Sequence, residues 1–484
     1  MADTASINKA TEMTEKIETT LEDGGGALYT REEINKVVRK LDWNLMPICF
    51  ILYTFSVLDR SNLGNAKTAG MNADLGISGP QYQWLGTAFY IAYIVFQFTT
   101  IGWKLFPAHI WVTGVVLFWG VASTLQSTCT NWAGLMACRF FLGIAETMFG
   151  PGVPLYFSFF YPRESMGLRF GIFLSGSTLA NAYGGALAYA IAGAHSRVAS
   201  WRFLFIIEGV PTALIAAMCW WFIPDSPQKA RFLTERERDI AETFARRQEE
   251  DKGDSRINFA HLFDAFKDYR NWLFAFTNFS TNVSFASMPL FLPTIVSEMG
   301  VFDAQQSNGL SAPPYLFSFF IMLVVTWASD RYRMRGPFAV FFCVTAAIGY
   351  IICAVTTTVA SRYVGLFLVV TIFITVAVNL VWNANTNENE SKRAGGLWII
   401  MTVGQCGTLL GTNMFPASEG PRYVKGMWIG FAFTVLAGML CTINSISLWR
   451  ENKRRDRLYG SVLKGQEDVL LPGQPLEATM RYIY

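Results

Sequence analysis

Histidine and charge are both scarce in this chain of 484 residues: it holds three histidines, and Asp, Glu, Lys and Arg together make up 15%. A soluble domain carries about 25% charged residues. A deficit spread along most of the length therefore excludes an ordinary soluble fold. The histidines, His109, His195 and His261, fall at or near expected loops, and no H-E-x-x-H, nucleophile elbow or phosphate loop occurs. An enzyme is not expected, nor is a cofactor. The eight cysteines form no C-x-x-C pair and lie mostly in apolar stretches. They read as small hydrophobes, with no zinc site and no disulfide framework. A net charge of +3 is too small to argue for nucleic acid. Residues 1 to about 40 are polar without an apolar h-region, so no cleaved signal peptide is expected and the first true span inserts the protein.

What is abundant is apolar: 52% of residues are hydrophobic, and the mean hydropathy is +0.29. Twelve apolar runs near the length that crosses a bilayer centre on Phe55, Tyr90, Leu117, Ile144, Leu179, Ala213, Thr281, Phe319, Thr345, Thr371, Val403 and Ala437. Gly, Ser and Asn interrupt several of them, and the first carries two charges. The runs fall into two sets of six, residues 42–223 and 271–449, joined by a charged stretch at 224–270 and flanked by tails at 1–41 and 450–484. The expected fold is an all-α membrane protein of twelve transmembrane helices in two six-helix bundles, with a site between the halves. The symmetry rests on hydropathy, since no residue-level repeat is visible.

Lysine and arginine placement sets the orientation. Lys104, Arg163, Arg169, Arg331, Arg333, Arg335, Lys392 and Arg393 fall in short loops on one side, with the long central loop and both tails. The other side holds Lys67, Arg197, Arg362, Arg422 and Lys425. Both termini are therefore expected in the cytoplasm.

Charges inside spans are expensive, usually face a bundle interior or a wetted cavity, and mark an ion or substrate path. Asp59 and Arg60 stand side by side late in the first run, and Arg139 and Glu146 lie seven positions apart in the fourth. That spacing returns a helix to nearly the same face roughly 10 Å further along. The two runs cross in opposite directions, so all four residues could line one cavity. Arginine stays protonated and its fork suits a carboxylate. Burial and a nearby cation act oppositely on a carboxyl's proton affinity, so Asp59 and Glu146 are the proton-carrying candidates and Arg60 and Arg139 the anion-binding ones. The competing explanation is structural ion pairs that lock the first and fourth spans together. Adjacent helical side chains point apart, so Asp59 and Arg60 each need their own partner.

The second half shows no charge within its spans, but it has amides at Asn278, Asn282, Asn379, Asn383, Gln405 and Asn413. Asn278, Asn282 and Asn379 are candidate substrate contacts, as is Tyr90 in the second span. Interhelical hydrogen bonding explains any single amide equally well, and packing explains the tyrosines Tyr90 and Tyr93. Glu208, in FIIEGVPT, reads as an exposed group or a partner of Arg202.

LDRSNLGNA, RFFLGIAETMFGPGVP, WRFLFIIEGVPT and PDSPQKARFLTERER, with APPYLFSFF, SDRYRMRG and SKRAGGLW later, resemble the anion:cation symporter family of the major facilitator superfamily. The fungal allantoate, nicotinate and pantothenate permease branch is the nearest likeness, over about residues 41–450. The resemblance implies the major facilitator fold, alternating access and proton-coupled movement of small organic anions. It also implies roles for Asp59, Arg60, Arg139 and Glu146 in anion binding and proton coupling. The loop after the second span departs from the family pattern: it reads QFTTIGWKLFPAH, with Gln97, Thr99 and Thr100 where relatives carry other residues. Asp330, Arg331 and Arg335 in SDRYRMRG are gating candidates, with a simple positively charged clamp as the alternative.

The expectation is a monomeric, multi-pass plasma-membrane transporter that imports a small carboxylate with protons, its partners being that anion, protons and the bilayer. An exporter of an acidic secondary metabolite is the rival, and a non-transporting nutrient sensor ranks below both.

Overall fold

The computed structural model of the chain describes residues 20–22, 28–161, 166–193, 198–250, 265–300, 302–387, 390–459 and 481–483. Arg163, His195, Arg197, His261 and the side chain of Arg393 lie outside what is described. Twelve helical segments make up the body: α1 (Arg31–Thr68), α2 (Gly79–Leu105), α3 (Ala108–Thr128), α4 (Trp132–Ser158), α5 (Met166–Ala192), α6 (Ser200–Phe222), α7 (Tyr269–Ser297), α8 (Ala304–Tyr332), α9 (Gly336–Val355), α10 (Val359–Thr386), α11 (Glu390–Gly411) and α12 (Val424–Tyr459). Among the described residues, ten are long and apolar enough to cross a membrane. The other two are α5, diluted by Gly, Ser and Asn, and α11, whose apolar part is confined to Gly395–Gly411.

Local chemistry sets several helix starts. Thr30 and Glu33 form a capping box on α1, Ser78 and Gln81 on α2, and Asp303 and Gln306 on α8. The Asn131 side chain accepts from the Gly134 N–H to start α4. Two features lie outside the twelve-helix expectation. A short antiparallel pair, β1 (Thr20–Glu22) and β2 (Leu28–Thr30), precedes α1. The segment read as a loop after the second span instead continues α2 as helix to Leu105, and buries Gln97. The charged stretch holds an amphipathic helix, Glu235–Glu250. It docks on the start of α1 through Lys40–Glu237 at 2.6 Å and Arg236–Glu33 at 2.8 Å.

Within the first half α1 packs on α5 and α6, α3 on α6, and α2 on α4; within the second, α7 packs on α10, α11 and α12, and α9 on α12. The halves meet where α5 lies along α8, α1 against α7 and α2 against α11. This explains the weak hydropathy of α5. Its glycines permit close approach: Gly171 abuts Thr326, and a Cβ on Gly185 would sit 2.8 Å from the Asn308 carbonyl and 3.2 Å from the Ala312 nitrogen. Gly185→Val is therefore expected to lower the thermal midpoint of the solubilised protein by the equivalent of about 1–3 kcal/mol, the usual result of overpacking. Gly114→Ala, which meets nothing within 4 Å, serves as the control.

The charges sort to two ends. Arg169–Asp42 at 2.6 Å, His109–Asp225 at 2.6 Å and Lys392–Asp268 at 2.7 Å tie one end together. At the other, the Lys67 ammonium lies 4.7 Å from the centre of the Tyr82 ring. Arg362 departs from its loop assignment: it sits in the first turn of α10, 5% exposed, and donates to the Pro421 and Arg422 carbonyls.

Candidate functional site

Arg60 and Glu146 form one buried ion pair. The arginine donates to Glu146 Oε2 from Nε at 3.1 Å and from Nη2 at 2.7 Å, and Ser56 donates to the same oxygen at 3.0 Å. Glu146 is 0% exposed, and its other oxygen, Oε1, has no hydrogen-bond partner among the described residues. The guanidinium also sits 5.1 Å from the centre of the Phe89 ring and 5.0 Å from that of Tyr93, so aromatic faces on α2 complete its surroundings.

Arg139 takes a different set of contacts. Its Nη1 donates to the Asp59 and Arg60 carbonyls at 3.4 and 3.3 Å, while Nε and Nη2 have no partner among the described residues. No hydrogen bond joins Arg139 to Glu146 there, although both lie on the face of α4 turned to α1. Asp59 faces away from Arg60, as a helix step of about 100° requires. It accepts from Ser123 of α3 at 2.5 Å.

Two small cavities flank Arg60. One is shared with Tyr90, Arg139, Asn181 and, from the second half, Phe285 and Leu290. The other, about 50 Å³, is bordered by Tyr53, Tyr93, Asn278, Asn282 and Gln405, and again by Arg60. The expectation that all four charged residues line one opening is thus corrected. Arg60 borders both cavities and Arg139 only the first, Glu146 is sealed behind Arg60, and Asp59 points into the interior of the first bundle.

The amides divide as well. Asn278 and Asn282 border the cavity while donating to the Ile400 and Gly404 carbonyls of α11 at 3.3 and 3.0 Å. Asn379 borders neither cavity. Its amide donates to the Phe274 carbonyl at 3.1 Å and ties α10 to α7. Gln405, noted among the amides, does reach the cavity.

At the end of the molecule that holds Asp42 and Arg169, Arg335 donates to Asp330 at 2.5 Å and is 3% exposed. The pair presses on the other bundle: a Cβ on Gly167 of α5 would lie 2.9 Å from Arg335 Nη2 and 3.4 Å from Asp330 Oδ1. Arg331 is exposed and takes no part in that contact.

Sequence reasoning missed Glu208. It is neither exposed nor paired with Arg202, which donates instead to the Ser127 carbonyl at 2.6 Å. Glu208 is 1% exposed inside the first bundle. The signal was present, because an acid within an apolar run is a functional candidate by default.

The profile of the Major Facilitator Superfamily matches residues 49–412. Major facilitator-type transporter hxnP of Emericella nidulans is 30% identical over 91% of this chain and 92% of its own. The high-affinity nicotinic acid transporter of Saccharomyces cerevisiae is 28% identical over 90% of this chain and 82% of its own. Among solved structures, a bacterial homolog of the human lysosomal transporter Spinster superposes with a TM-score of 0.63 at 15% identity, covering 86% of this chain and 98% of that one. The proton:xylose symporter XylE gives 0.63 at 14% identity, covering 81% and 94%. These two share the fold alone. With charged groups from separate helices meeting beside a cavity that both bundles enclose, the chain is a membrane transporter, not an enzyme, and belongs to the fungal permeases of the Major Facilitator Superfamily.

Proposed function

We propose that the protein imports a small organic anion, a carboxylate of vitamin or nitrogenous-acid type, together with protons and by alternating access. It acts as a monomer in the plasma membrane with both termini in the cytoplasm. The observation that carries this reading is the Arg60–Glu146 pair, buried yet set at the wall of a cavity that both bundles enclose. Arg60 and Arg139 attract the anion, and Asp59 and Glu146 carry protons. While Glu146 is ionised it occupies the guanidinium fork of Arg60. A proton on Glu146 weakens that pair and frees the fork for a substrate carboxylate, which it can hold with two parallel bonds.

Tyr90, Asn278 and Asn282 offer a ring and neutral polar groups to the rest of the substrate, and Asn379 assists by fixing α10 against α7. A cavity of about 50 Å³ is smaller than such an anion, so binding accompanies separation of the bundles 42–223 and 271–449 about the linker 224–270. Asp330 and Arg335 close one end against Gly167, and Arg331 adds positive charge beside them. The name of the yeast relative supports a pyridine carboxylate as the first substrate to try.

The test is uptake of labelled nicotinate and a panel of other carboxylates by cells that express the protein, at acidic and at neutral external pH. Accumulation stimulated by acid is expected. Absence of uptake together with secretion of an endogenous acid would replace import by export.

A further inference from the structure

A second polar cluster lies behind the Arg60 site, enclosed by α1, α3, α4 and α6. Both carboxyl oxygens of Glu208 lack a hydrogen-bond partner among the described residues, as do Asp59 Oδ2, Arg139 Nε and Nη2, and both amide atoms of Gln126. Those of Glu208, Asp59 and Arg139 belong together. The Arg139 guanidinium lies 5.7 Å from the centre of the Phe205 ring, and Glu208 follows Phe205 by three residues, on the same face of α6. Gly209, the next residue, packs on Thr124 of α3. Thr124 adjoins Ser123, whose hydroxyl holds Asp59. Glu208 is within electrostatic reach of both Asp59 and Arg139.

The neighbours leave few other charges to consider. Toward Glu208, α1 presents Asp59 and α4 presents Arg139, while Glu146 on α4 is engaged by Arg60. Along α3 the one titratable base is His109, held by Asp225 at the helix start, the middle of α5 carries no ionisable acid or base, and Arg202 on α6 turns to the Ser127 carbonyl and Asp74. One arginine thus faces two carboxyls in a space closed to solvent. Arg139 compensates one negative charge. A second uncompensated anion buried there is far costlier than binding a proton, and two carboxyls that share a site do not both ionise.

We infer that Asp59 and Glu208 form a carboxyl pair that shares one proton beside Arg139, which makes Glu208 a proton-holding residue of the transporter. Arg139 lines the first of the two cavities that flank Arg60, and Arg60, which borders both, joins this pair to the anion site. When an anion draws the charge of Arg139 toward the cavity, the pair binds a second proton from water to stay neutral. When the anion leaves, Arg139 compensates the pair again and that proton returns to water. Anion and proton then favour each other's binding, as reciprocal coupling requires. This deepens the anion–proton reading above and rests on it.

Infrared difference spectra of the purified protein at neutral pH, without substrate, test the pair. Wild type minus Glu208→Gln is expected to show the carbonyl-stretch band of one protonated carboxylic acid, and Glu208→Asp to restore it. Wild type minus Asp59→Asn is expected to show the same band, because Glu208 then ionises against Arg139. Wild type minus Glu146→Gln should show only an ionised carboxylate. If the Glu208→Gln difference contains only an ionised carboxylate, Glu208 holds no proton and the inference falls. If the band is absent from the Asp59→Asn difference alone, the proton belongs to Glu208 by itself and sharing is overturned. Should Glu208→Gln fail to fold, the Asp59→Asn spectrum decides. These spectra stand apart from transport: nicotinate uptake insensitive to acid would sink the functional reading and leave the carboxyl pair intact.

Discussion

Arg60→Ala is expected to weaken nicotinate binding by about 30-fold to several thousand-fold, the equivalent of roughly 2–5 kcal/mol for truncating one partner of a buried, hydrogen-bonded charge pair. Two losses combine in that figure. The substrate carboxylate loses the guanidinium fork, and Glu146, fully buried, loses the group that compensates it. The protein itself should still fold, since Glu146 can shed its charge by binding a proton instead of staying ionised in a low-dielectric site. Equilibrium binding of labelled nicotinate, read beside the thermal midpoint, separates the two effects. Arg60→Lys should recover only part of the affinity, because an ammonium lacks the planar fork. Unchanged binding in Arg60→Ala would move the anion site elsewhere.

Glu146→Gln should abolish accumulation driven by a pH gradient yet leave exchange of labelled for unlabelled nicotinate measurable. The amide has the shape of a protonated carboxyl and cannot change charge. Arg60 is therefore permanently released to the cavity while the cycle loses its proton. In proteoliposomes with an imposed pH gradient, the accumulation ratio should collapse to the value set by passive equilibration. Normal accumulation in this variant would show that Glu146 is not the coupling group, and attention would pass to Asp59 and Glu208.

Both predictions depend on Glu146 being the partner of Arg60, an assignment that order along the chain could not make. Arg60, Arg139 and Glu146 stand out in sequence because each is an ionisable group in an apolar run. The mutual pairing of four charges admits several solutions, and only the helix crossing selects one. Here α1 and α4 meet so that the Arg60 side chain reaches Glu146, while Arg139 reaches the backbone carbonyls of α1. The expectation that Asp59 and Arg60 need separate partners did follow from helix geometry alone, and Ser123 and Glu146 are those partners.

The amides show the opposite limit. Asn278, Asn282 and Asn379 look alike in sequence, each an amide in an apolar span with a second amide four residues away. Two border the cavity and one braces α10 against α7, a distinction set by helix rotation. Glu208 was legible as an acid in a hydrophobic run, yet its nearness to Arg202 along the chain concealed the interior it faces. In the same way α5 looked marginal as a span. Its glycines serve contact with α8, a partner more than a hundred residues away in the chain.

The sequence by itself determined the class of protein, its all-α membrane architecture, and the short set of charges that lie within apolar runs. Each of these follows from the cost of placing polar groups in hydrocarbon, which acts on every residue separately. The tertiary structure alone decided which charge answers which, which amide meets the cavity, and that Asp59 and Glu208 face one arginine. Those are relations between side chains on different helices, fixed by the rotation and approach of packed surfaces, and no local rule along the chain contains them.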